Sequence, residues 1–275
     1  MWTREYFRDL MPMPVIGMVH LLPLPGSPDW GGDMGAVLAA AGEDAAALAD
    51  GGVGAVMVEN YHDVPFFAEQ VPPETVAAIT RAAAAVREAC AGLPLGINVL
   101  RNDARAALGV AAAVGASFIR VNVHTGAALT DQGLLQGRAA ETLRSRRILA
   151  PGVGIMADLR VKHAVPLAPR PLAEEAGDLR RRGLADAVII SGPATGEAAD
   201  PAELTAARAE LPDCPLLIGS GAARGNLSRF LPGADGFIVG SSLKSAADTG
   251  RHRIDPERVI SFVAAMREST DRGLR

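Results

Sequence analysis

Short apolar runs recur along the chain and alternate with longer stretches in which apolar residues return at helical spacing. The short runs fall at 15–20, 55–60, 95–99, 118–123, 154–159, 187–191, 215–218 and 236–239. The helical patterns lie between and after them, at 34–50, 74–91, 103–114, within 131–149, then at 171–182, 201–211, 224–231 and 256–269. Gly51-Gly52 ends the first of these, Asn102-Asp103 supplies capping signals, and Pro171 and Pro201 stand where a first helical turn accepts proline. Strands separated by helices pair in parallel through crossovers. Eight such units in 275 residues predict one α/β domain over 1–275, a (β/α)8 TIM barrel. The rival, a doubly wound open sheet, carries a glycine fingerprint after its first strand, and His20-Leu21-Leu22-Pro23 lacks one.

In such barrels the chemistry sits at the C-terminal ends of the strands and in the loops that follow. At those positions apolar strands end in polar residues, and burying a polar group is costly unless it has a partner or a task. The candidates for catalysis are Asp158, Lys162, His163 and Glu59. A carboxylate or imidazole moves protons, and a desolvated lysine can act as an amine nucleophile or a proton carrier. The candidates for orienting a substrate are His20, Asn60, Asn98, Arg120, Asn122, His124, Ser191 and Thr195. If the backbone stays extended, Arg120, Asn122 and His124 share one side, as do Asp158, Arg160 and Lys162. Structural roles compete with some of these: Glu59 would serve equally as an ion-pair partner for Arg120.

The last two strands end in small residues, Gly219-Ser220-Gly221 and Gly240-Ser241-Ser242. Two adjacent exits of this kind, each leading towards a helix start, expose backbone N–H groups to an anion. The loops after strands seven and eight commonly bind phosphate in this fold. Ser220, Gly221, Gly240, Ser241 and Lys244 are therefore the expected phosphate site.

Composition narrows the partners. Hydrophobic residues make up 49% and charged residues 21%, with mean hydropathy +0.18. The apolar segments break before the ~18 residues of a membrane span, and no basic-then-apolar leader opens the chain. A net charge of −4 and 4% aromatics disfavour nucleic-acid binding. Cys90 and Cys214 stand apart at the edges of apolar elements and read as buried, inert thiols. The expectation is a cytoplasmic protein with no cofactor. A divalent metal at His20, Glu59 and Asp158 stays open, although no dense ligand spacing supports it. Trp30 and Phe66-Phe67 would form a lid over the mouth, a homo-oligomer contact or an external patch.

Several motifs together resemble the BtpA family, also called BtpA/SgcQ-like, of ribulose-phosphate-binding-type barrels. They are PVIGMVHL at 14–21 with PLPGSP at 23–28, GAVMVEN at 54–60, LGINVLRN at 95–102 and IRVNVHTG at 119–126. AD at 157–158, VKHA at 161–164, GPATG at 192–196 and the 219–244 region complete the likeness, which covers nearly the whole chain. The resemblance implies the barrel fold. It says less about activity, because the family is named for a role in photosystem I accumulation, while sugar-operon members suggest metabolic barrels without a settled reaction. Residues and resemblance together lead to an enzyme acting on a phosphorylated sugar or sugar-like small molecule. Isomerisation or epimerisation, aldol or lyase chemistry and glycosidic cleavage all remain open. The alternative is a non-catalytic photosystem I biogenesis factor that uses the barrel as a scaffold.

Overall fold

The computed structural model describes residues 1–192, 194, 196–245 and 252–273. Its centre is a closed parallel barrel of β1 (Val15–His20), β2 (Ala55–Glu59), β3 (Leu95–Asn98), β4 (Phe118–Val121), β7 (Gly154–Asp158), β9 (Ala187–Ile190), β10 (Leu216–Ile218) and β11 (Gly236–Val239). Consecutive barrel strands are neighbours, and β11 closes on β1 with Ile16 beside Ile238. The predicted strands are all present, most of them shorter by one or two residues at the exit.

Strand periodicity sorts the side chains into two cores. Val15, Val19, Val56, Val58, Ile97, Ile119, Ile155, Val188, Ile218 and Val239 face outward and pack under the helices. Ile16, Met18, Ala55, Met57, Phe118, Met156, Ile189, Leu217 and Ile238 face inward and fill the barrel. The covering helices include α2 (Met34–Asp50), α3 (Pro73–Ala89), α4 (Ala104–Val114), α6 (Leu172–Arg181), α7 (Pro201–Glu210) and α8 (Pro256–Gly273). Asp33 caps α2 by accepting from Ala36 N–H, and Asp103 caps α4 by accepting from Ala106 N–H at 2.9 Å. The predicted helix at 224–231 is only a 3-10 turn, Leu227–Arg229.

Two features depart from the sequence expectation. The first is α1 (Arg4–Leu10), an amphipathic segment that closes the N-terminal end of the barrel. Trp2, Phe7 and Met11 are buried in the same cluster as Phe118 and Met156. The glycines opposite them provide the room: a Cβ on Gly154 would lie 2.0 Å from the Trp2 ring, and one on Gly236 3.1 Å from Phe7. The second is a small antiparallel sheet beyond the barrel, built from β5 (Ala127–Thr130), β6 (Gly133–Gln136) and β8 (Ala164–Pro166) in the order β6-β5-β8. The turn and second strand of the β5–β6 hairpin occupy the front of the 131–149 region, which leaves α5 (Ala139–Leu149) as its helix. No helix among the described residues is long and apolar enough to cross a membrane.

Candidate active site

The inward parity of each barrel strand ends in one residue at the C-terminal mouth. These are His20, Glu59, Asn98, Arg120, Asp158, Ser191, Gly219 and Gly240. Register makes the first three lateral neighbours, with His20 beside Glu59 and Glu59 beside Asn98. With its amide oriented as the surrounding donors and acceptors require, Asn98 donates from Nδ2 to Glu59 Oε1 at 2.7 Å and accepts from Val99 N–H. His20 Nε2 lies 3.6 Å from Glu59 Oε2, and the His20 ring stacks on Tyr61 with centroids 4.3 Å apart. Burial, then the charges of Lys244 and Lys162, pushes the His20 imidazole well below its ordinary range. At neutral pH His20 is therefore uncharged, and its contact with Glu59 is a polar contact rather than an ion pair.

Arg120 and Asp158 form the floor. Arg120 donates from Nε to Oδ2 (2.9 Å) and from Nη2 to Oδ1 (2.8 Å). Asn122 Nδ2 donates to Oδ2 at 3.0 Å and Ser191 Oγ to Oδ1 at 3.3 Å. Each Asp158 oxygen thus has two donors, and its residue is 4% exposed. The expected reactive carboxylate is fully engaged in fixing Arg120, whereas Glu59 faces the cavity with one amide donor and a neutral imidazole beside it. The ion pair that the sequence offered to Glu59 and Arg120 is made by Asp158.

The exits of β10 and β11 wall a cleft of about 250 Å³ that also touches His20, Glu59, Arg120 and Lys162. The backbone N–H groups of Ser220, Gly221, Ser241 and Ser242 have no acceptor among the described residues. Gly221 has φ +68°, and a Cβ there would sit 2.3 Å from Ala198 Cα, so both conformation and space require glycine. The hydroxyls do other work. Ser220 Oγ accepts from Gly192 N–H and donates to the Glu197 carbonyl, and Ser242 Oγ donates to the Ala222 carbonyl. What remains to meet an anion is the backbone N–H groups, with the exposed Ser241 side chain beside them.

A second chamber of about 530 Å³ adjoins this cleft and shares Glu59, Arg120 and Lys162 with it. It extends under Tyr61, His62 and Phe66 to Arg101, Asp131 and His163. Lys162 lies at the junction, its carbonyl accepting from Arg101 Nη2 at 2.8 Å. Burial pulls the Lys162 ammonium below its usual range against the opposing charges of Glu59 and Asp158, and Arg120 and Arg101 add repulsion. Lys244 is 6% exposed and does not line the cleft. Burial depresses it to about 8 despite the charges of Asp44 and Glu59. The chain contains two lysines among 27 basic residues, Lys162 and Lys244. Neither has a carboxylate within 4 Å among the described residues.

Other expected residues lie elsewhere. Asn60 has the parity opposite to Glu59 and spends its amide on Leu100 N–H, the Leu100 carbonyl and Asp63. It shapes the loop and does not reach the mouth cluster. His124 follows the end of β4, so strand parity no longer carries it inward; its Nε2 meets the Gly183 carbonyl at 2.8 Å, beside α6. Arg160 likewise leaves the extended path after Asp158 and pairs with Glu175 and Glu203. His20 and Glu59 stay together while Asp158 turns to Arg120, and no group of three or more potential metal ligands forms among the described residues. Thr195 lies outside the described residues. Arg101 and Tyr61 were not among the expected site residues. Their only sequence signal is position, since Tyr61 directly follows Glu59-Asn60 and Arg101 lies three residues beyond Asn98.

A family model of the BtpA family matches residues 11–268. The chain belongs to the BtpA family. This BtpA-family chain is 48% identical to the photosystem I biogenesis protein BtpA of Synechocystis, over 93% of its own length and 88% of that protein's. An uncharacterized protein of Methanocaldococcus jannaschii is 41% identical over 91% and 94% of the two chains. Among solved structures, one described as native KDPGal superposes with TM-score 0.58 at 17% identity, covering 95% of this chain and 96% of the other. N-(5'-phosphoribosyl)anthranilate isomerase from Pyrococcus furiosus gives 0.56 at 15%, covering 93% and 99%. At such identities the likeness is one of fold.

Proposed function

We propose that this BtpA-family barrel is an enzyme acting on a phosphorylated sugar or sugar-like small molecule. The observation that carries the reading is the pair of strand exits at Ser220-Gly221 and Ser241-Ser242. Four backbone N–H groups with no acceptor among the described residues open there onto a cleft that also holds Glu59 and Lys162. Oriented N–H dipoles favour a phosphate without a bound water having to reorganise. A phosphate anchored there leaves the rest of the ligand beside a carboxylate, a desolvated amine and a neutral imidazole, which is a complete set for proton transfer. In this assignment Glu59 is the base, Lys162 the acid or amine, and His20, Asn98 and Asn122 orient hydroxyl or carbonyl groups. Arg120 contributes its remaining N–H donors, held in place by Asp158. Isomerisation or epimerisation and carbon–carbon or glycosidic bond cleavage all use these groups.

A second reading draws on the Synechocystis relative, whose name refers to photosystem I biogenesis. A scaffold of that kind would use an outer surface such as the one around the exposed Phe67, and would be indifferent to the mouth.

Thermal unfolding with inorganic phosphate and ribose 5-phosphate separates the two. A ligand at about 100 times its Kd stabilises the folded state by about 2.7 kcal/mol. The enzyme reading expects both ligands to raise Tm, and expects the shift to shrink in Gly240→Val, whose side chain enters the cleft beside the His20 ring without requiring a left-handed backbone. Unchanged Tm with every phosphate-bearing ligand would turn the assignment towards the scaffold.

A further inference from the structure

The charge inventory of the mouth extends beyond one phosphate. Arg101 is 5% exposed, yet the described residues place no carboxylate within 4 Å of its guanidinium. Its single hydrogen bond runs from Nη2 to the Lys162 carbonyl. Elsewhere the chain matches partly buried arginines with acids: Arg208 with Asp235, Arg253 with Asp44, Arg146 with Asp186. Arg180 lacks a carboxylate but is saturated by the carbonyls of Trp2, Ala185 and Asp186. Arg101 has neither arrangement. Asp158, Asp131 and Glu59 are close enough to act on it electrostatically, but Asp158 is already neutralised by Arg120. Asp131 and Glu59 supply opposing charge across the chamber but no direct ion pair, and leaving the donors of a buried guanidinium unfilled is costly; Arg101 faces open volume, the larger chamber.

That chamber joins the backbone cradle through the wall shared by Glu59, Arg120 and Lys162. A ligand whose phosphate rests on the N–H groups of Ser220, Gly221, Ser241 and Ser242 therefore runs past Lys162 towards Arg101. A guanidinium offers parallel N–H donors that match a carboxylate or a phosphate, which a hydroxyl cannot exploit to the same degree. We infer that the ligand carries a second anionic group at the end opposite its phosphate, a carboxylate or another phosphate, and that Arg101 receives it. The inference rests on the phosphate reading above and narrows it to doubly anionic chains such as phosphorylated sugar acids and sugar bisphosphates.

Calorimetric titration of the full chain tests this with four probes: inorganic phosphate, ribose 5-phosphate, 6-phosphogluconate and ribulose 1,5-bisphosphate. A charge-assisted contact to Arg101 predicts about ten- to a hundredfold tighter binding of at least one of the last two than of ribose 5-phosphate. The better of the two says whether the far group is a carboxylate or a phosphate. Arg101→Gln should remove that advantage and leave inorganic phosphate and ribose 5-phosphate within about twofold, while Arg101→Lys should restore part of it. Equal affinity of wild type for singly and doubly anionic probes overturns the inference even if Arg101→Gln fails to fold. Equal weakening of all four probes in Arg101→Gln also overturns it, because Arg101 would then only position Lys162 through its carbonyl. Absence of binding by every probe defeats the phosphate reading itself, and the inference with it.

Discussion

Arg120 and Asp158 meet side-on in the floor of the mouth, both guanidinium-to-carboxylate bonds being shorter than 3 Å and both residues almost fully buried. The pair separates two roles that carboxylates at strand ends can play. Asp158, with four donors, sets the position of a cation, while Glu59 keeps a face towards the cavity. Asp158→Asn should therefore destabilise the fold by about 3–5 kcal/mol, because it leaves Arg120 charged and uncompensated. Glu59→Gln should change stability little and lower turnover by about a hundredfold or more, the usual contribution of a general base. Urea unfolding beside a turnover assay checks both. A stable Asp158→Asn that loses only activity would return the catalytic role to Asp158.

Lys162 chooses among reaction classes. The nearby Asp158 favours the protonated lysine, although it is hydrogen-bonded and ion-paired to Arg120, whose own charge opposes it. Burial and two neighbouring guanidinium groups lower the Lys162 pKa against Glu59 and Asp158, which makes the neutral amine easier to reach than in a free lysine. A neutral amine adds to a carbonyl and loses water to give an imine, which borohydride reduces to a stable secondary amine. Borohydride with a carbonyl-bearing phosphosugar should then leave its mass on the peptide containing Lys162. A clean peptide, with turnover intact, would assign Lys162 to proton transfer or anion binding.

Lys244 makes a prediction about pH. Its folded value, about 8, lies below the ordinary 10.5. Below pH 8 the folded state holds a buried charge that the unfolded chain holds in water, so Lys244 destabilises there. As pH rises from about 8 to 10.5 the folded state has lost its proton while the unfolded state still binds one, and the penalty fades. Lys244→Met should accordingly be more stable than wild type at pH 7, by up to about 3 kcal/mol. Its advantage should shrink by pH 10. Chemical denaturation of both proteins at the two pH values measures the difference. Comparing the pair also cancels Cys90 and Cys214, whose thiols burial raises and which titrate in the same alkaline range.

The barrel was legible because a strand buried on both faces reads as an unbroken apolar run, and eight of them stood at regular intervals. The mouth was legible for a related reason: polar residues closing apolar strands are hard to explain otherwise, and inward parity selects His20, Glu59, Asn98, Arg120 and Asp158. Parity fails once the extended backbone ends. Asn60, His124 and Arg160 lie just past that point, and their directions are set by the loop, by Gly183 and by α6 and α7. The β5–β6 hairpin was hidden because its strands are four residues each and run into the helical pattern of α5. The closure by α1 was hidden because its apolar residues find their partners in Gly154, Gly236 and Phe118, far along the chain. Arg101 was invisible as a charge without a partner, since pairing is a property of three-dimensional neighbours.

The scarcity of lysine has a practical meaning for anyone handling this protein. An amine-seeking reagent finds only three addresses on the chain: the terminal amine of Met1, which lies 3.4 Å from Asp186 at the closed end of the barrel, Lys162 and Lys244. Coupling to a sensor surface through amines would favour the exposed Met1 amine at the closed end, and among side chains only acylation of Lys162 would report on, or obstruct, the mouth. Cargo, dyes and surfaces are better attached through arginine-rich outer helices or engineered thiols, and acylation of Lys162 becomes a direct readout of whether the mouth is occupied.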